Sequence, residues 1–195
     1  MALLALIALL TLAANGARQL RFASVAFLAV ALTATAIASA SSTRMQLAVE
    51  AVAALCAAGL LFVAARDGSY GEEPGWRLWG ATIVAAAATP AAFASFRTAT
   101  AEATQVPLFG ADPGGVTVQV AAFWLISSGI AILLTARSAV RMSVGALLMI
   151  TGVQLLVRLA TGPQLAPTLL FSWLEVLIAL VGAFLVINER VVREA

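Results

Sequence analysis

Residues 116–160 read VTVQVAAFWLISSGIAILLTARSAVRMSVGALLMITGVQLLVRLA, two apolar runs joined by the short basic turn Arg137–Arg141. Each run has the roughly 20 apolar residues that a helix needs to cross a hydrocarbon layer of about 30 Å. Neither run alternates apolar and polar residues with the period of two that is typical of a barrel strand. The stretch therefore predicts a helical hairpin that crosses a membrane twice.

The same pattern recurs along the rest of the chain. Hydrophobic residues make up 63% of the 195 residues and charged residues 10%, whereas soluble domains average about 45–50% and about 25%. We predict an all-α integral membrane protein with about seven transmembrane helices, at residues 1–16, 22–40, 45–65, 78–96, 116–136, 142–160 and 168–188.

The arginines predict the orientation of these helices. If seven spans alternate in direction, one side of the membrane holds Arg18, Arg21, Arg66, Arg77, Arg137, Arg141, Arg190 and Arg193, and the other holds Arg44, Arg97 and Arg158. The positive-inside rule places the side with more arginines in the cytoplasm. We therefore expect a multi-pass protein of a bacterial or archaeal cell membrane, with its N-terminus outside and its C-terminus cytoplasmic.

The first span is short enough to be a cleaved signal peptide. However, no basic residue precedes its apolar run, and a signal peptide normally begins with a positive region. We favour a first helix that is retained.

The links divide the chain into two parts. Residues 1–96 form a predicted four-helix part, residues 97–115 an external loop, and residues 116–195 a three-helix part. Thr89-Pro90 falls inside the fourth span, where proline removes a backbone hydrogen bond and favours a kink.

The residue inventory excludes several kinds of site within the chain. It has no His, no Lys and one cysteine, Cys56, so it lacks the ligands that most zinc, haem and iron–sulfur sites need. A Ser-His-Asp triad is impossible, and no phosphate-binding or dinucleotide-binding motif is present. We therefore expect no catalytic residue, cofactor or metal ion in this chain and no nucleic-acid partner.

Two carboxyl groups lie inside predicted spans. Glu50 is about 7–8 Å below the outer boundary and Glu175 about 10–11 Å below it, at 1.5 Å per residue. Charged groups at such depths are costly, and many mark ion or proton paths. Three interpretations of Glu175 stay open: a proton relay, a structural hydrogen bond between helices, and pairing with another subunit. For Glu50 the alternative to a path is contact with interfacial water.

The sixth span offers polar neighbours for these acids. Thr151, Gln154 and Arg158 are spaced three and four residues apart, so they share one helix face. Because the sixth and seventh spans are antiparallel neighbours, we predict a cluster of Glu175 with Gln154 and Arg158. The Arg158 side chain is long enough to reach inward or outward.

The last three spans contain two characteristic stretches, FWLISSGIAILLTARSAVRMSVGALLMITGVQLLVRLATGP at residues 123–163 and LLFSWLEVLIALVGAFLVINERVVRE at residues 169–194. These stretches resemble hydrogenase-4 component E, a membrane subunit of formate hydrogenlyase-like complexes. This part is also similar to the K-type subunit of complex I and to the C-type subunit of multisubunit antiporters. The shared features are the basic turn Arg137–Arg141, Gly145, Gly162-Pro163 and the intramembrane Glu175.

One feature of that family is missing. Its members usually carry an acid in the middle helix, but residues 147–150 are apolar here. The resemblance implies a non-catalytic subunit of a complex I-like or group 4 hydrogenase-type assembly, with antiporter-like partner subunits and a part in proton transfer. The alternatives are a purely structural subunit and a stand-alone membrane transporter or channel.

Overall fold

The computed structural model describes residues 2–17, 19–65, 75–103 and 113–194. They form an all-α structure, which confirms the predicted fold class. The seven helices are α1 Ala2–Gly16, α2 Leu20–Ile37, α3 Arg44–Ala64, α4 Gly75–Ala103, α5 Pro113–Thr135, α6 Ala139–Thr161 and α7 Leu165–Glu194.

Six helices, α2 to α7, are long and apolar enough to cross a membrane. The chain is thus a multi-pass helical membrane protein. Helix α1 has 15 residues, and its rise of about 22 Å is shorter than the hydrocarbon layer. It nevertheless packs within the bundle, against α2, α4 and α5.

Helices α2 to α7 all begin one to three residues earlier than predicted. In two of them the added turn contains a proline, which is acceptable there because its missing N–H would have no helical partner. Helix α5 begins at Pro113 rather than residue 116, and α7 begins at Leu165 with Pro167 in its first turn. Helix α4 continues past Pro90 to Ala103.

The external loop predicted at residues 97–115 was therefore too long, since residues 97–103 and 113–115 are helical. Residues 104–112 lie outside the described residues. Residues 66–74, most of the link between the third and fourth predicted spans, also lie outside the described residues.

The α5–α6 hairpin forms the centre of the bundle. Helix α6 has the largest share of buried residues among the six spans, and α4 and α7 have the smallest. Helix α4 packs against α5, and α2 and α7 pack against α6. Helix α3 lies against both α2 and α7, so the two predicted parts share one core.

The links lie at two ends of the bundle. At the first end, the guanidinium of Arg141 donates to the carbonyl oxygens of Asn15 (2.7 Å) and Ala17 (2.6 Å). This contact joins the α1–α2 link to the start of α6. Arg137 is exposed, but Arg141 is 3% exposed and lies in α6. The prediction of a basic turn was therefore wrong for Arg141, because the open carbonyls at the end of α1 require a donor.

The second end carries the α2–α3 and α6–α7 links. Thr43 and Gln46 form a capping box that starts α3, a pattern that satisfies two open backbone donors. The Gln46 side chain also donates to the Gln164 carbonyl at 2.7 Å. Gly162 adopts φ +74° and ends α6, a conformation that favours glycine. These contacts fix the starts of α3 and α7 beside the end of α6.

Candidate functional site: a polar cluster inside the bundle

Polar side chains from α3, α6 and α7 meet in the interior near the second end. They come from helices at the edge and centre of the bundle, and all are between 3% and 7% exposed. The cluster comprises Glu50, Thr151, Gln154, Arg158 and Glu175. We call it the polar cluster.

An ion pair joins α3 and α6 within the polar cluster. The Arg158 guanidinium pairs with the carboxylate of Glu50. Gln154 Nε2 donates to the same carboxylate at 2.7 Å, and Arg158 Nη1 donates to Ser42 Oγ at 2.8 Å. Burial of this pair requires such compensating contacts, because both ions lose their hydration. Arg158 therefore reaches inward, and its positive charge also lies in the last turn of α6, where the helix dipole favours it.

Glu175 has a different partner from the one predicted. The hydroxyl of Thr151 lies 3.1 Å from Glu175 Oε1 and 2.9 Å from the Leu147 carbonyl, so it can donate to either oxygen. Within the described residues, no arginine lies within 4 Å of the Glu175 carboxylate.

The positions at which the helices start explain why these residues become partners, because they set the depth of each residue in the bundle. Measured from the second end, Glu50 and Gln154 lie about 9–10 Å deep, whereas Thr151 and Glu175 both lie about 15 Å deep. Because α7 begins three residues earlier than predicted, Glu175 is about 4.5 Å deeper than expected and passes Gln154. The predicted trio is therefore separated, and the residues of matching depth form two pairs, Glu50 with Gln154 and Glu175 with Thr151.

A cavity connects the two pairs. All five residues of the polar cluster line it, and its volume is about 20 Å³. A buried water needs roughly 10–15 Å³ and two to four polar partners, so this cavity has room for one water. Thr35 of α2 also lines it. The arrangement can therefore support proton transfer through hydrogen bonds between two carboxyl groups.

Sequence analysis missed two contributors, Ser42 and Thr35. Ser42 lies in the α2–α3 link, and its contact with Arg158 spans 116 positions. Its neighbour Thr43 belongs to the Thr-x-x-Gln capping pattern, which is visible in the sequence and marks the start of α3. That pattern could have placed the link, but no local signal reveals the arginine that it meets.

Metal chemistry has no evident site in the described residues. No group of three or more acidic, cysteine or histidine side chains there could hold a metal ion. Comparisons with protein-family models, curated proteins and solved structures give no significant match. The resemblance to hydrogenase-4 component E therefore rests on the motifs quoted above.

Proposed function

We propose that the chain is a non-catalytic membrane subunit of a complex I-like or group 4 hydrogenase-type assembly. In it the chain links antiporter-like subunits to the redox module and provides part of a proton path. The observation that supports the proton path is the cavity between two buried carboxyl groups in membrane-spanning helices. The identity of the parent assembly is inferred only from the resemblance of the last three helices to hydrogenase-4 component E.

Charge balance assigns different roles to the two carboxyl groups. Glu50 and Arg158 neutralise each other, which makes their shared burial tolerable. Glu175 has a neutral hydroxyl as its hydrogen-bond partner. A proton can therefore be added to or removed from Glu175 without breaking an ion pair.

The path begins at Glu175 and runs toward the second end. A single water bound in the cavity would be lined by the Glu175 carboxyl, the Thr151 hydroxyl and the Gln154–Glu50 pair. A proton leaving Glu175 passes to this water, which in turn gives a proton to the Glu50 carboxylate, nearer the second end, while Arg158 keeps its hydrogen bond to Ser42. In the orientation that the arginines predict, the second end is the outer one, so the path would open outward.

The proposed assembly can be tested by purification. A chain tagged at its C-terminus and extracted from native membranes in mild detergent should co-purify with a large metal-containing complex that includes antiporter-like subunits. An isolated 20 kDa chain or its simple oligomer would contradict the subunit proposal. If such a preparation moved ions after reconstitution, a stand-alone transporter would become the better proposal for the function.

Glu175→Gln should abolish proton coupling while leaving the complex assembled. The amide preserves the shape and a hydrogen bond to Thr151, but it cannot carry a proton. The measurement is proton pumping per electron transferred by the purified complex in vesicles. Glu189→Gln is the matched control, because Glu189 is an exposed acid on the same helix.

The same comparison tests the structural alternative. The Glu50–Arg158 pair favours that alternative, because both of its members already have further hydrogen-bond partners, Gln154 for Glu50 and Ser42 for Arg158. If the Glu175→Gln complex assembles normally and pumps like the Glu189→Gln complex, Glu175 is structural and the proton path is wrong.

A further inference from the structure

An apolar groove runs along the lipid-facing side of α3 and α7. Its walls include Met45, Val52 and Cys56 from α3 and Leu169, Trp173 and Val176 from α7. Met45 and Trp173 are 64% and 69% exposed. The groove has a volume of about 520 Å³, which is in the range of small-molecule sites.

The dimensions of the groove suit a hydrocarbon chain. Helix α3 rises about 16 Å between Met45 and Cys56, which gives the length of the groove. A hydrocarbon chain is about 4 Å wide, judged from carbon–carbon contact distances. With a volume of about 520 Å³, the groove has room for one extended acyl chain.

A positive charge near one end of the groove indicates which polar group the ligand carries. Arg44 is exposed at the start of α3, next to Met45, and lies at the second end, where the hydrocarbon layer gives way to headgroups. A guanidinium there can pair with a phosphate oxygen. We propose that the α3–α7 groove binds one acyl chain of a bilayer phospholipid whose phosphate lies beside Arg44.

The single cysteine of the chain tests this directly, because Cys56 lines the groove and is exposed. N-ethylmaleimide should alkylate Cys56 of the purified chain severalfold more slowly once phosphatidylglycerol is added to the detergent. The control is a chain with Cys56→Ala and Ala87→Cys, which carries its thiol on the exposed side of α4. Slowing of both thiols to the same extent, or no slowing of Cys56, would overturn the proposal.

A second measurement counts the lipid. By native mass spectrometry after extensive detergent washing, the wild-type chain should retain one phospholipid. Ala48→Phe should lose it, because Ala48 is exposed on the groove wall, whereas Ala87→Phe should retain it. Retention by Ala48→Phe would overturn the proposal. So would a Cys56–Cys56 disulfide dimer formed under mild oxidation, since it would place a second copy of the chain in the groove.

Discussion

Arg158→Met is expected to destabilise the protein by about 3–5 kcal/mol, which is typical when one partner of a buried ion pair is removed. The substitution keeps the length of the apolar stem but leaves Glu50 without a counter-ion, in a side chain only 9% exposed. Ser42 also loses its guanidinium partner. Unfolding of the purified chain in detergent, followed by circular dichroism, measures the loss.

Two further variants make this test specific. Arg44→Met removes an exposed arginine from the start of α3 and should change stability little, because single surface charges contribute little. The double variant Glu50→Leu, Arg158→Met should recover much of the loss, because an apolar pair can replace a buried ion pair at small cost. If Arg158→Met unfolds like Arg44→Met, the ion pair does not stabilise the fold.

Gly129→Ala should also be strongly destabilising, by about 1–3 kcal/mol, as is usual for overpacking in a well-packed core. A Cβ atom at Gly129 would lie 2.5 Å from the carbonyl oxygen of Gly145 and 2.7 Å from the backbone nitrogen of Met149. Both atoms belong to the backbone of α6, so no side-chain rotation relieves the clash. Helices α5 and α6 must move apart, and thermal unfolding in detergent reports the cost.

Gly59→Ala is the matched control for this substitution. No heavy atom lies within 4 Å of a Cβ built at Gly59, and alanine is favoured over glycine inside a helix by about 1 kcal/mol. This variant should be neutral or slightly stabilising. Equal melting temperatures for the two variants would show that α5 and α6 do not pack through their glycines.

Periodicity and length were enough to predict the helices, because lipid leaves the backbone few other ways to satisfy its hydrogen bonds. Helices α5 and α7 each begin three residues before the predicted start, with Pro113 and Pro167 inside their first turns. This small displacement had a large effect on the site. It moved Glu175 from the level of Gln154 to the level of Thr151.

The sequence also indicated which polar residues matter, since few lie so deep in apolar segments. It could not predict their pairing. Glu50 and Gln154 are 104 positions apart, and nothing local to α3 shows that it packs beside α7. The choice of Glu50 rather than Glu175 as the partner of Arg158 depends on relative depth, which follows only from the three-dimensional starts of the helices.

The contact between Arg141 and the end of α1 has a consequence for how the protein is made. The bonded atoms are 126 and 124 positions apart. At about 5–20 residues per second, the ribosome adds Arg141 about 6–25 s after the carbonyls that it contacts. During that interval the first helix lacks its final hydrogen bonds. The end of α1 therefore gains its Arg141 contacts only after the start of α6 has been synthesised.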